Sequence, residues 1–153
     1  MALWLYTRHR DNYALFRNAF LISGLIALIG FITIPLAPPR FMPEFGFKDT
    51  IINAQSYYAF QNPKIVNQYA AMPSLHFGWD LLIAIAIGCN VKGWWLRLIA
   101  VFMPFVMVAG IVLTANHYFL DAAAGALVSL AGLGIAVMLR RVVSRQGVFS
   151  FLT

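Results

Sequence analysis

The 153-residue chain is 61% hydrophobic and only 10% charged, with a mean hydropathy of +0.78. Soluble domains carry roughly 25% charged residues, so this composition excludes a water-soluble fold and leaves a single membrane-embedded domain, 1–153. The net charge of +6 does not indicate nucleic acid, because the basic residues are dispersed and no aromatic–basic binding motif accompanies them.

In chain order, Arg8, Arg10 and Arg17 precede an apolar run at about Ala19–Ala37. The run is too long for the apolar part of a signal peptide and ends PLAPPR, with no small-residue cleavage site. It reads as a retained span of the roughly 20 residues that cross hydrocarbon. A loop over 38–74 follows, with Arg40 behind Pro38-Pro39 and Lys48 further on. Within it, Thr50 to Tyr69 reads TIINAQSYYAFQNPKIVNQY, with Tyr57, Tyr58, Phe60 and Tyr69 among amides. Such aromatic residues settle at the headgroup level, either as an interfacial piece over a site or as an ordinary anchor.

Pro73-Ser74-Leu75-His76 opens a second span, Leu75–Val91, which contains Asp80 and the single cysteine, Cys89. One cysteine forms no intramolecular disulfide; inside an apolar run it reads as a small buried hydrophobe. A third span, Leu98–Ala115, contains Pro104, which removes a helical hydrogen bond and is expected to kink it. Asn116-His117-Tyr118 and Asp121 lead into the fourth span, Ala122–Leu139. There Gly125, Ser129 and Gly132 form a stripe of small residues suited to close helix packing. The expected fold is an all-α integral membrane bundle of about four transmembrane helices, with an interfacial segment between the first and second.

Lysine and arginine counts set the orientation. The N-terminal segment, the connection between spans two and three and the C-terminal tail carry eight: Arg8, Arg10, Arg17, Lys92, Arg97, Arg140, Arg141 and Arg145. The opposite side carries three, Arg40, Lys48 and Lys64. Both termini are therefore expected in the cytoplasm, and both polar clusters, around His76 and around His117, at the outer face.

His117 and Asp121 are four apart, on one face of a helix. A carboxylate bonded to one imidazole nitrogen makes the other a better nucleophile or base; equally, the pair could simply cap the fourth span, where Asp121 suits a helix N-terminus. Pro73 fits a first helical turn, and Ser74 with the free backbone N–H groups there could hold an anion. His76, inside the same turn, can donate or accept a proton near neutral pH. Asp80, one turn on from His76, either orients it, binds a polar headgroup or pairs with another span. Asn116 either caps the next helix or contacts substrate.

These residues resemble the type-2 phosphatidic acid phosphatase superfamily of membrane lipid phosphatases and phosphotransferases. Its Pro-Ser-Gly-His motif is matched by Pro73-Ser74-Leu75-His76, with leucine for glycine, and its His-x-x-x-Asp by His117 and Asp121. The forms MPSLH and NHYFLDAAAG, with APPR upstream, are most similar to the branch related to inositol phosphorylceramide synthases. The resemblance implies double displacement on a phosphorylated lipid. His117 attacks phosphorus, Asp121 orients its ring, His76 protonates the leaving oxygen and later activates water or an acceptor alcohol, and Ser74 holds a phosphate oxygen. It implies no metal and no other cofactor, so cationic side chains would stabilise the charge.

Two departures stand out. The first family motif, Lys followed seven residues later by Arg-Pro, is absent in that form, leaving Arg40 as the candidate bidentate phosphate contact and Lys48 as a second. The arginine expected six residues before the catalytic histidine is Ile111. Family members usually have six spans, so four suggests self-association into a homo-oligomer, or a shortened chain. The expected setting is the plasma membrane. The competing readings are a small proton-coupled transporter built on His76, Asp80, His117 and Asp121, and an inactive relative. The span beyond Asp80 lacks ionisable groups, which disfavours a proton relay.

Overall fold

The computed structural model describes residues 1–47 and 67–145. Lys48 and most of the aromatic segment over 50–69 lie outside these residues. Among the described residues the chain is helical: α1 (Ala2–Arg8), α2 (Arg10–Thr33), α3 (Leu75–Asn90), α4 (Trp94–Leu113) and α5 (Phe119–Arg145), with two single 3-10 turns at Pro39–Phe41 and Pro43–Phe45. Three helices, α2, α4 and α5, are long and apolar enough to cross a membrane.

The helix ends differ from the expected ones for local reasons. Rather than covering 19–37, the first long helix starts at Arg10, because arginine-bearing turns remain helical where their heads reach water. It stops at Thr33 because Ile34, with φ −130° and ψ 74°, precedes Pro35, whose ring disfavours helical geometry in the residue before it. The second expected span is short. α3 has 16 residues, rising ~24 Å, against a hydrocarbon core of ~30 Å. Asn90 helps stop it by turning its side-chain amide onto the carbonyl of Ala86 (2.8 Å). α4 continues through Pro104. α5 runs on past the expected end at Leu139, through Arg140 and Arg141 to Arg145.

Size is distributed in the reverse of a soluble domain. The fully buried positions include Ala19, Ala27, Ala86, Ser23, Ser74 and Ser129, whereas Leu21, Leu25, Phe102, Phe105 and Leu127 point outward. In lipid there is no hydrophobic drive between helices, and close backbone approach through small residues replaces it. α5 is the centre of this packing, against α2 on one side and α3 on the other, with α4 held mainly by α3. At the α3–α5 crossing, a Cβ on Gly78 would stand 2.3 Å from the Ser129 hydroxyl oxygen and 2.5 Å from the Gly125 carbonyl oxygen. A Cβ on Gly125 would stand 2.1 Å from the carbonyl oxygen of Ser74. At the α2–α5 crossing, Gly132 lies against Ala19 and Ser23. The Trp79 indole N–H donates to the Ser23 hydroxyl (3.2 Å), tying α3 to α2.

The two ends of the bundle are separately fastened. At one, Leu5 of α1 packs on Phe16 and Ala86, and the Asn12 amide donates to Asn90 (2.6 Å). At the other, the extended residue Leu36 pairs in parallel with Ala70: its N–H donates to the Tyr69 carbonyl (2.8 Å) and its carbonyl accepts from Ala71 (3.3 Å). The start of α3, the start of α5 and the end of α4 gather beside this bridge.

Candidate active site

The site is built where α3 and α5 begin. Asp121 stands at the third residue of α5, and its Oδ2 accepts the backbone N–H of Tyr118 (2.8 Å), closing the first turn as one half of a capping box. The carbonyl of Asp121 accepts the backbone N–H of Ser74 (2.9 Å), the residue that precedes α3. One residue thus fastens both helix starts. Pro73 lies before this cap, not in the first turn of α3: with the cap position taken by Ser74, the first helical residue is Leu75.

His117 is buried in the connection between α4 and α5. Its backbone N–H donates to the Ile111 carbonyl (3.1 Å), and Ala115, two residues earlier, adopts a left-handed φ of 54° that turns the chain back. The ring is held through Nδ1, which lies 2.8 Å from the Ala71 carbonyl oxygen and 3.5 Å from Asp121 Oδ2. Ala71 is therefore the nearer anchor, and Asp121 stands behind it. With a carbonyl as partner, Nδ1 must carry the hydrogen, which leaves the lone pair on Nε2. That nitrogen faces His76 Nδ1 at 3.4 Å. Burial, and then the neighbouring His76, push the His117 pKa below its ordinary value of 6.5, partly offset by the Ala71 carbonyl and Asp121. The ring is thus neutral at neutral pH, with its free nitrogen aimed at an exposed partner imidazole.

Ser74 is fully buried, and among the described residues its hydroxyl has no hydrogen-bond partner. The N–H groups of Leu75, His76 and Phe77 also lack intrahelical acceptors, as the opening residues of any helix do. Together they form a cluster of donors beside the histidine pair, suited to an anion.

Arg40 is brought to the same end. Its backbone N–H donates to the Ala115 carbonyl (2.9 Å), its guanidinium donates to Asn116 Oδ1 and lies 4.9 Å above the Phe41 ring. Asn116 Nδ2 donates to Thr114 (2.8 Å), so this side chain braces Arg40 and does not cap α5. The Tyr118 hydroxyl reaches the sulfur of Met42 (3.3 Å), seating the arginine-bearing turn on the His117 connection. Asp80 is not gathered in. It is buried and its Oδ2 has no partner among the described residues, so it neither orients His76 nor pairs with another helix. No three His, Cys, Asp or Glu side chains converge on one point among the described residues.

Sequence reading missed Ala71, because a backbone carbonyl leaves no trace in the identity of its residue. The bridge that fixes it is also invisible, being one residue pair long. Ile111, where a cation was expected, contributes its carbonyl to the backbone N–H groups of Asn116 and His117.

A family model described as the PAP2 superfamily matches residues 1–135. No curated protein and no solved structure matches the chain.

Proposed function

We propose that this chain, which belongs to the PAP2 superfamily, is a membrane enzyme that cleaves or transfers the phosphoryl group of a lipid phosphate through a phosphohistidine on His117. Membership supports phosphatase- or phosphotransferase-type chemistry on lipid phosphates. The observation that carries the finer reading is the set of His117: Nδ1 anchored on Ala71, and Nε2 unprotonated and facing His76.

In this mechanism the His117 Nε2 lone pair bonds to phosphorus as the bond from phosphorus to the lipid oxygen breaks, and His76 gives that oxygen its proton. Water, or an acceptor alcohol, then yields a proton to His76 as its oxygen bonds to phosphorus and the phosphorus–nitrogen bond breaks. Both imidazoles return to their starting states. Ser74 and the α3 N–H groups hold the non-reacting phosphate oxygens, and Arg40 offers its charge from the Asn116 side. A phosphoryl group does not fit between two nitrogens 3.4 Å apart, so the exposed His76 ring swings aside as the phosphate enters. α2, α3, α4 and α5 serve as four spans, α3 being the short one, with the termini in the cytoplasm and the site on the outer face of the plasma membrane. The motif forms favour the branch related to inositol phosphorylceramide synthases.

The test is turnover of a panel of phosphorus-labelled lipid phosphates by the protein in detergent. The expected result is phosphate release, or a new phosphodiester when an alcohol is supplied, together with an acid-labile, base-stable label on the protein. No turnover with any lipid of the panel refutes the reading.

Two further outcomes follow from the site. Since the His117 pKa is lowered, its neutral form persists into mild acid, and the acid limb of kcat/KM should fall below pH 6.5, the ordinary histidine value; a limb above it contradicts the burial argument. For Asp121→Asn the loss should be about 10- to 100-fold in kcat, the size of one charge-assisted contact, because Ala71 still holds the ring. A total loss with normal folding would make Asp121 the main anchor.

A further inference from the structure

Beside α3 and α4 runs an open, apolar groove of about 570 Å³, lined by Trp95, Phe102, Met103, Gly110 and Ile111 of α4 and by Asp80 of α3. Its α4 edge from Trp95 to Ile111 covers ~24 Å of helix at 1.5 Å per residue, much of the ~30 Å depth of a hydrocarbon core. The end at Ile111 is the site end, where that residue's carbonyl accepts the His117 N–H (3.1 Å). Among the described residues Asp80 is the one charged group of the lining, and it is buried with Oδ2 unpartnered. A carboxylate facing hydrocarbon without a partner is costly and is kept where something meets it. Asp80 lies one turn inward of His76, ~6 Å along the helix axis.

Resting on the reading that the site binds a lipid phosphate, we propose that the groove takes one hydrocarbon chain of the substrate. Asp80 then accepts a hydrogen bond from a hydroxyl or amide N–H that the lipid carries between its phosphate and that chain. A chain laid along α4 with its head at Ile111 brings the phosphate to His117 and the first polar atoms below it to the level of Asp80. Its unpartnered Oδ2 is an open acceptor, so it distinguishes a lipid with a donor at this place from one whose same oxygen is esterified and has no hydrogen to give. Asp80 is here a specificity residue that touches substrate, separate from the phosphoryl-transfer groups.

The experiment compares two phosphate monoesters of equal chain length in mixed micelles, a monoacylglycerol phosphate with a free hydroxyl next to the phosphate and its diacyl counterpart. Wild type is expected to favour the hydroxyl-bearing lipid by about 10-fold in kcat/KM, the size of one well-made buried hydrogen bond. Asp80→Leu should abolish the preference, mainly through KM, and Asp80→Asn, which keeps an acceptor oxygen, should retain part of it. Gly110→Leu provides an independent reading of the groove, since a Cβ there meets nothing within 4 Å. It should lower the ratio of long-chain lipid turnover to that of a short soluble phosphate monoester by about 10-fold, the scale of a few buried methylenes lost. Equal use of the two lipids by wild type, or a preference that survives in Asp80→Leu, overturns the role of Asp80. An unchanged ratio in Gly110→Leu overturns the groove. Turnover of neither lipid when other lipids of the panel are used overturns this inference alone, whereas turnover of no lipid at all removes the lipid phosphate reading together with it.

Discussion

His117→Ala is expected to lower turnover of a phosphorylated lipid by about 10,000-fold or more, the scale seen when a catalytic nucleophile is removed, and to abolish the acid-labile label on the protein. Loss of fold would produce the same result, so stability has to be followed alongside. The substitution leaves the Ala71 carbonyl without the Nδ1 donor that lies 2.8 Å away, at a cost of about 1–3 kcal/mol for a buried unmet acceptor. His117→Gln retains an amide able to reach that carbonyl, but no imidazole lone pair. It should unfold nearer to wild type in detergent and be as inactive as the alanine variant. Residual activity above about 1% in both variants, well over the loss expected for a nucleophile, would mean that water attacks phosphorus directly with His76 as base, and the phosphohistidine would be wrong.

Gly125→Ala should be the most damaging glycine-to-alanine change among the described residues. The added carbon would lie 2.1 Å from the carbonyl oxygen of Ser74, and the atoms it meets are backbone, which cannot rotate away. Either the helices part or the start of α3 shifts. Overpacking of this kind costs typically about 1–3 kcal/mol. The shift moves Ser74 against Asp121, whose carbonyl accepts its N–H (2.9 Å), and so disturbs the turn that also sets His117. A loss of activity of about 100-fold is expected even where the protein still folds, since a 1 Å misplacement suffices for that. Gly88 and Gly134 are the internal controls, because a Cβ at either meets nothing within 4 Å. As alanines inside helices they should be neutral, or stabilising by up to ~1 kcal/mol. Thermal unfolding and turnover of the three variants in one detergent decide the matter. If Gly125→Ala behaves like Gly134→Ala, the crossing is looser than described.

The polar motifs were legible because polar groups stand out against hydrocarbon. Ser74, His76, His117 and Asp121 were grouped by the expected orientation of the spans and by the resemblance of their motifs, spacing alone leaving a plain helix cap equally open. In the structure they lie at one end of the bundle. The small stripe of α5 was legible for the same kind of reason, although Gly78, its partner across the crossing, was not. A lone glycine in an apolar run does not say which neighbour needs the space. Helix ends were read poorly, since hydropathy marks where lipid would stop and hydrogen bonding continues past that point, as in α5 through Arg140 to Arg145. Asp80 was visible as an oddity, but its lack of a partner is a three-dimensional fact. Ala71, the nearest contact to the His117 ring, is a backbone carbonyl placed by tertiary pairing, and no residue pattern encodes it.

The parallel bridge between Leu36 and Ala70 has a consequence for how such a protein can diversify. Together with the Arg40 and Met42 contacts to the α4–α5 connection, it fixes Met42 and Tyr69, the points between which the intervening sequence must run. Doubling the length of a closed loop costs only about 0.6 kcal/mol in entropy. Insertions, deletions or wholesale replacement between those pins would therefore leave the Ala71 carbonyl, and the histidine it holds, where they are. The histidine site and the chain between those anchors can then change at different rates.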